Sequence, residues 1–345
     1  MLIKRLYVQN FRNLKEQEIS FSKNLNILIG ENGQGKTNLI EAIYILSTTK
    51  SFRTSKKEEL IKWGEERAIS FVEVERDEST ATLSLEITKA KTKFLRNEEE
   101  IKRDLSTLTT VSFFPSDLEI IKGAPSERRR FIDKLIVDLY PETLSQFFAY
   151  QRALAQKNRL LKEPHQNLSA IEVYNKILID NGEKIGELRK AASSLLTESS
   201  TRELELLKSP EQTLNVVYEP SFFDETKMKA ELSARVSLFG PHRDDLRFEL
   251  GGVDSRAYAS QGQTRSVLLA LKLSSIKLIE EKRKTSPVVL LDDVDSELDE
   301  KRRSSFFEHI SSSDRQVIIT GPRGRHLEDL PGKQLHIQDG HWIKH

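Results

Sequence analysis

Cysteine is absent from the 345 residues, methionine and tryptophan occur twice each, and no apolar run approaches the length of a membrane span. Without cysteine there can be no disulfide, cysteine–zinc site or thiol catalysis, which fits a reducing compartment. A membrane-crossing helix would need about 18 or more consecutive apolar residues, and none is present. The first residues, including Lys4, Arg5, Gln9, Asn10 and Arg12, lack the apolar centre of a secretion signal. A soluble, cytoplasmic protein with no membrane partner is expected. Excess charge is also missing, since 54 Lys and Arg stand against 53 Asp and Glu. Any nucleic-acid contact must therefore come from local basic patches, and the candidates are residues 50–57, 89–96, 128–130 and 152–162. The length allows a large core and predicts two structural units.

What is present begins with residues 25–43, around which the rest is organised. Asn26, Ile27, Leu28 and Ile29 form the short apolar run of a buried parallel strand. Gly30-Glu31-Asn32-Gly33-Gln34-Gly35-Lys36-Thr37 then fits the phosphate-loop pattern G-x-x-x-x-G-K-[ST], and Asn38, Leu39, Ile40 and Ile43 open a helix. Average composition makes such an octet a chance event about once in a hundred chains of this size, and the correct flanks lower that further. Gly30, Gly33 and Gly35 let the backbone curl so that its N–H groups meet phosphate oxygens, aided by the helix N-terminus. Lys36 is placed to reach the β and γ phosphates, and Thr37 to ligate Mg²⁺. ATP and Mg²⁺ are the cofactors this implies.

Upstream, residues 2–8 and 18–21 read as paired strands separated by Asn10-Phe11-Arg12-Asn13, where the Arg12 guanidinium could reach a phosphate. Arg53, one helix beyond the loop, is a second phosphate or DNA candidate. A period of two over residues 68–75, 80–88 and 92–95 predicts a small antiparallel sheet covering the nucleotide domain. A strand near residue 111 stops at Pro115. From residue 126 to 207 the apolar spacing becomes three and four, as in Phe131, Ile132, Leu135, Ile136 and Leu139, then Ile177, Ile185, Leu188, Leu195 and Leu196. Pro141, Pro164 and Pro210 interrupt it, predicting a two- or three-helix arm and excluding a long coiled coil of uninterrupted heptads.

Two later stretches answer the phosphate loop. Ser260-Gln261-Gly262-Gln263 opens an amphipathic helix and, alone, reads as a helix cap. Val288-Val289-Leu290-Leu291-Asp292-Asp293 is an apolar strand ending in two carboxylates, the Walker B form. A strand parallel to the loop strand would set Asp292 beside Thr37 to hold Mg²⁺, leaving Asp293 to polarise an attacking water as the catalytic base, with Lys36 the catalytic cation. Ser296-Glu297-Leu298-Asp299 follows, then a strand over residues 316–320, and the chain ends on a hairpin whose turn is Asp339-Gly340.

Together these motifs resemble the ABC-type ATPases of DNA maintenance, and most closely the RecF family. The resemblance runs nearly end to end through Asn10 to Asn13, Gly30 to Asn38, Lys50 to Arg53, Phe114 to Leu118, Gly240-Pro241-His242-Arg243-Asp244-Asp245, Ser260 to Arg265 and Leu290 to Asp299. It implies an α/β ABC-type head with an antiparallel β subdomain. Lobe I would comprise residues 1–110 and 284–345. Lobe II, residues 111–283, would carry a helical arm over about 126–208 and the signature at 260–263. It further implies an ATP-dependent homodimer in which Ser260, Gly262 and Gln263 complete the partner's site, and slow, DNA-stimulated hydrolysis coupled to dimer dissociation. The implied binding is to duplex, gapped and single-strand/duplex junction DNA, with RecR and RecO as partners in loading RecA. Two departures stand out. No glutamine occupies the lever position at residues 114–118, and Thr320 stands where transporters carry a switch histidine. An SMC-type head would need hundreds of heptad residues between the motifs. A transporter subunit is opposed by the Asp292-Asp293 pair and the missing histidine, and a nuclease by the lack of a further carboxylate cluster after residue 293.

Overall fold

The computed structural model describes residues 1–77, 79–101, 106–207, 213–222, 225–293, 300–311, 315–322 and 326–343. The expected Ser296-Glu297-Leu298-Asp299 segment and Pro210 lie outside them. In chain order the elements are β1 (Leu2–Gln9), β2 (Gln17–Ser20), β3 (Leu25–Ile29), α1 (Lys36–Thr48), β4 (Arg67–Arg76), β5 (Ser79–Thr88), β6 (Thr92–Arg96), β7 (Glu99–Ile101) and β8 (Thr110–Phe113). Helices follow as α2 (Glu119–Lys122), α3 (Pro125–Leu139), α4 (Leu144–Lys162) and α5 (Leu168–Leu206). Then come β9 (Leu214–Glu219), α6 (Glu225–Ala234), β10 (Asp245–Leu250), β11 (Val253–Asp254), α7 (Ser255–Tyr258) and α8 (Gln261–Arg283). The chain closes with β12 (Val288–Asp292), α9 (Glu300–Ser311), β13 (Val317–Gly321), β14 (Lys333–Gln338) and β15 (His341–Ile343).

These divide into two compact units. The first comprises Met1–Asp117, Leu206–Lys208 and Ile279–His345, the second Leu118–Glu205 and Ser209–Leu278. In the first, a central sheet has the order β15-β14-β3-β13-β12-β8. Its pairings are parallel except for the β14–β15 hairpin. Every residue of β3, β12 and β13 is buried, as expected for strands covered on both faces. A second sheet, β2-β1-β4-β5-β6-β7, is antiparallel throughout, and the alternating burial of β4 turns Val72 and Val74 into a core shared with Leu39, Ile40 and Ile43 of α1.

The second unit carries the helices and the small sheet β11-β10-β9. Pro125 begins α3, where its missing N–H costs nothing. Glu163, ahead of Pro164, is extended and ends α4. The arm therefore has three helices, and α5, with 39 residues, is about 58 Å long at 1.5 Å per residue. Its buried face agrees with the expected one at Ile185 and Leu196 and corrects it elsewhere. Ile171, Asn175, Leu178, Gly182, Ile185, Arg189, Ala192, Leu196, Ser200 and Glu203 recur at three and four residues and are buried, whereas Ile177 is exposed and Leu188 and Leu195 are only half-buried. Asn175, Arg189, Ser200 and Glu203 are polar members of that seam, so apolar spacing alone finds only part of the buried face.

The basic patches are also corrected in part. Arg128 is 2% exposed and makes a bidentate pair with Asp245. Arg129 donates to the Asp244 carbonyl, and Lys157 is fully buried against Glu231 and Ser237. These cations hold the second unit together. Lys56, Lys57, Lys89 and Lys91 of the first unit are exposed.

Candidate nucleotide site

The parallel order of the central sheet brings the C-terminal ends of β3, β12, β13 and β14 to one edge, the usual ligand edge of an α/β sheet. From β3 the chain enters the loop at residues 30–35, and α1 begins at Lys36. Gly33 (φ 81°) and Gly35 (φ 113°) sit in the left-handed region that side chains avoid. Gly30 is needed for a different reason: a Cβ there would lie 2.5 Å from the carbonyl oxygen of Ile337 on β14.

Lys36 is 9% exposed and its Nζ donates to the carbonyls of Gly30 (2.6 Å) and Glu31 (2.9 Å). Burial lowers its pKa, against the opposing pull of Asp293, Asp292 and Glu31. A phosphate arriving at the loop would add the negative charge this ammonium is short of. Thr37 donates to Asp292 Oδ1 at 3.0 Å, which joins the two motifs directly. Thr320, on the strand between them, donates to the same oxygen at 2.7 Å and accepts from the Asp293 amide at 3.1 Å. Burial raises the Asp292 pKa, opposed by those two hydroxyl hydrogen bonds and reinforced by the Asp293 charge. Asp293 is exposed and held at φ 51°, a left-handed conformation rare outside glycine. Thr320, at the position of the transporter histidine, thus fixes the Asp292 carboxylate and the backbone of Asp293. Sequence pattern places Thr320 at the strand end without assigning it a role.

The Thr37 hydroxyl and the Asp292 carboxylate are hard oxygen donors within hydrogen-bond reach of one another. That donor set suits Mg²⁺, an ion usually held by one or two protein oxygens together with substrate phosphates.

Arg12 stands beside this loop at φ 55°. Its Nε and Nη2 donate to Glu41 and its Nη1 to the Glu59 carbonyl, so three of its five N–H groups have partners among the described residues. Glu41, completely buried on α1, also accepts from Ser51 at 2.5 Å and pairs with Arg53 at 3.5 Å. Arg53 donates to Asn38, Asn38 to Asn13, and Asn13 to the Gly33 carbonyl. Glu41 and Asn13 escaped the sequence reading. A lone carboxylate within the apolar Leu39-Ile40-Glu41-Ala42-Ile43 stretch was the signal that could have found Glu41. Near residue 114, where the lever glutamine is missing, Phe114 stacks on Phe52 with centroids 3.8 Å apart and meets Tyr44 edge-on.

Ser260, Gly262 and Gln263 belong to the second unit. Ser260 Oγ accepts from the Gln263 amide (3.2 Å), while Gln263 Oε1 accepts from the Ser260 amide (2.8 Å), a reciprocal capping box at the start of α8. The cap uses a lone pair of the hydroxyl and leaves its proton able to donate elsewhere, so the cap reading and a phosphate-binding role are compatible.

Comparison with known proteins places this geometry. The sequence matches the RecF/RecN/SMC N-terminal domain over residues 2–338. It is 34% identical to a DNA replication and repair protein RecF of Bacillus cereus (strain G9842), covering 99% of this chain and 98% of that protein. Among solved structures it resembles the recombination mediator protein RecF bound to ATP in the RecFOR pathway, with a TM-score of 0.89 and 32% identity over 99% of this chain and 97% of that one. The Smc head domain of Pyrococcus furiosus, at 18% identity and a TM-score of 0.58, shares the fold. A likeness that spans the whole chain at this identity means that the protein belongs to the RecF family of ABC-type ATPases.

Proposed function

We propose that the protein is an ATP-gated DNA clamp of recombinational and gap repair. The observation that carries this reading is the Thr37–Asp292 contact, which unites the phosphate loop and the carboxylate pair in a chain whose relatives are named for DNA replication and repair. In this reading residues 30–38 bind the triphosphate, Lys36 exchanges its loop carbonyls for phosphate oxygens, and Arg12 contributes one of its remaining N–H groups. Thr37 and Asp292 would hold Mg²⁺, which supplies charge neutralisation at the phosphate oxygens. Asp293 takes a proton from water as the water oxygen bonds to the γ-phosphorus and the bond to the bridging oxygen breaks, releasing ADP.

Ser260, Gly262 and Gln263 of one copy would bind the γ-phosphate held by another, giving an ATP-dependent homodimer whose dissociation follows slow, DNA-stimulated hydrolysis. In this reading lobe I, expected at residues 1–110 and 284–345, corresponds to the first compact unit, which also takes in residues 111–117 and 279–283, and lobe II, expected at residues 111–283, to the second. The exposed lysines within residues 50–57 and 89–96 suit contacts to duplex phosphates, including duplex at gaps and single-strand junctions. RecR and RecO would act with this clamp in loading RecA.

Equilibrium binding to a gapped duplex, a blunt duplex and a single strand, with ATP and with ADP over a salt series, tests the reading. ATP-dependent, salt-sensitive affinity for the duplex-containing ligands is expected, with a log–log slope of about −0.9 per phosphate contact. Indifference to DNA in both nucleotide states would contradict it.

A further inference from the structure

We propose that the Asp339-Gly340 turn at the tip of the C-terminal hairpin is a positioning element of the nucleotide site, acting on the phosphate loop through Gln34. The inference rests on the phosphate-loop reading above and extends it to a segment some 300 residues away in the chain, as the separation of 305 between Asp339 and Gln34 shows.

Topology makes the meeting unavoidable. β14 lies beside β3 and parallel to it, with Leu335 opposite Leu28 and His336 opposite Ile29. Both strands end at the same edge of the sheet, so the turn that follows β14 arrives where the phosphate loop follows β3. The turn has left-handed backbone at both central residues, Asp339 at φ 51° and Gly340 at φ 72°, the geometry of a tight type I′ hairpin. Hairpin tips ordinarily face water, yet Gly340 is buried. Its N–H donates to the Gln34 carbonyl at 3.1 Å, and the Asp339 N–H donates to Gln34 Oε1. From the other side, the Gly340 carbonyl accepts from the Lys15 amide at 3.2 Å and from Gln17 Nε2 at 2.8 Å. Gln17 Oε1 in turn accepts from the Trp342 amide at 2.6 Å.

The chemical consequence follows from peptide planarity. In a trans peptide the C=O of one residue and the N–H of the next point in opposite directions. Holding the Gln34 carbonyl toward the hairpin therefore aims the Gly35 N–H away from it, on the side where a cradle for phosphate oxygens needs its donors. One peptide earlier Asn13 holds the Gly33 carbonyl by donating to it at 3.0 Å, and the Gln34 N–H of that peptide donates to the Glu31 carbonyl at 3.4 Å, so the loop's own backbone is fixed there as well. Fixing these planes before the ligand arrives removes ordering that binding would otherwise have to supply. The turn follows β14 and the carboxylates Asp292 and Asp293 lie on or just after β12, with β3 and β13 between those strands, so the expected effect falls on nucleotide affinity and leaves the two carboxylates in place.

The test compares wild type, Gly340→Ala and Gln17→Leu by calorimetric titration with Mg·ATP and with Mg·ADP, alongside turnover and thermal melting. A Cβ on Gly340 would overlap the Asn13 carbonyl oxygen and occupy a left-handed conformation. Gly340→Ala is expected to weaken both nucleotides at least tenfold while kcat at saturating ATP stays within twofold. Gln17→Leu, which loosens the turn without touching the loop, should weaken both about threefold. Hydrogen exchange on the wild type keeps the question open to refutation should Gly340→Ala fail to fold: segment 338–341 should gain protection on Mg·ADP binding, and should not in Lys36→Ala. Lower melting temperatures with unchanged nucleotide affinities, or no change in protection of the turn, would overturn the proposal. A wild type that binds neither nucleotide would instead overturn the phosphate-loop reading on which it rests.

Discussion

The ion clusters of the second unit and the nucleotide edge of the first hold charge in different ways, and the contrast separates structural from chemical roles. In the second unit the buried ions are matched to one another. Arg189 forms a bidentate pair with Asp133 and also donates to Asp244 and the Pro241 carbonyl. Asp244 accepts besides from the Ser221 amide and from Tyr218. Lys157 meets Glu231, Ser237 and the face of Phe239. In the first unit the polar groups at the sheet edge are held on backbone carbonyls or neighbouring hydroxyls that a phosphate or a metal ion can displace. Lys36 sits on two loop carbonyls, and two hydroxyls converge on a single oxygen of Asp292. A fully matched buried ion is a fastener; one resting on weaker, exchangeable partners is prepared for a ligand.

The largest expected effect breaks the contrast from the structural side. Arg189→Ala leaves Asp133 and Asp244 without their shared cation and should cost about 3–5 kcal/mol of stability, as loss of one partner of a buried pair does. Lys36→Ala should leave melting nearly unchanged while abolishing nucleotide binding. Denaturant melts and nucleotide titrations on both variants check this, and a Lys36→Ala protein that melts like Arg189→Ala would erase the distinction.

Next in size is a pH effect confined to the second unit. Burial pushes the His242 pKa from 6.5 down to about 4, opposed by the Ser237 carbonyl and assisted by the nearby cations Arg243, Lys157 and Arg129. Its two ring nitrogens face Tyr150 Oη at 2.7 Å and the Ser237 carbonyl at 3.2 Å. Because the unfolded chain binds the proton more readily, this contribution is complete above pH 6.5. It is lost as pH falls toward 4, amounting to at most about 3 kcal/mol at 1.36 kcal/mol per unit. The wild type should therefore lose stability faster than His242→Gln between pH 6.5 and 4, and parallel pH profiles of denaturant midpoints would contradict this.

The smallest effect sharpens the comparison at the signature helix. Ser260→Ala removes the cap of α8 and should cost about 1 kcal/mol. Nucleotide affinity of the monomer should not change, and calorimetry decides whether it does.

Much of this was legible in the sequence. The fixed φ demands of Gly33 and Gly35, the all-apolar strand before Asp292 and the Asp-Gly turn at 339–340 are local signals, and each appears as expected. What stayed hidden depends on partners far apart in the chain. Arg128 and Lys157 read as surface charge because Asp245 and Glu231 lie 117 and 74 residues away. The buried face of α5 was legible at Ile185 and Leu196 and hidden elsewhere by its own polar residues. Asn175, Gly182 and Arg189 occupy seam positions where periodicity looks for leucine. Thr320 acts by hydrogen bonding alone, and spacing carries no trace of that, while Glu41 shows in the sequence only as the one carboxylate of an apolar stretch, its partners Arg12 and Arg53 lying 29 and 12 residues away.

The most direct test of nucleotide-gated self-association is sedimentation with Mg·ATP of the wild type, Lys36→Ala, Asp293→Asn and Ser260→Arg. The account predicts an ATP-dependent dimer for the wild type and a longer-lived one for Asp293→Asn. It predicts monomers for Lys36→Ala and Ser260→Arg, with Ser260→Arg alone of the two still binding ATP. An ATP-induced dimer that persists in Lys36→Ala, or a Ser260→Arg monomer that no longer binds ATP, would contradict it.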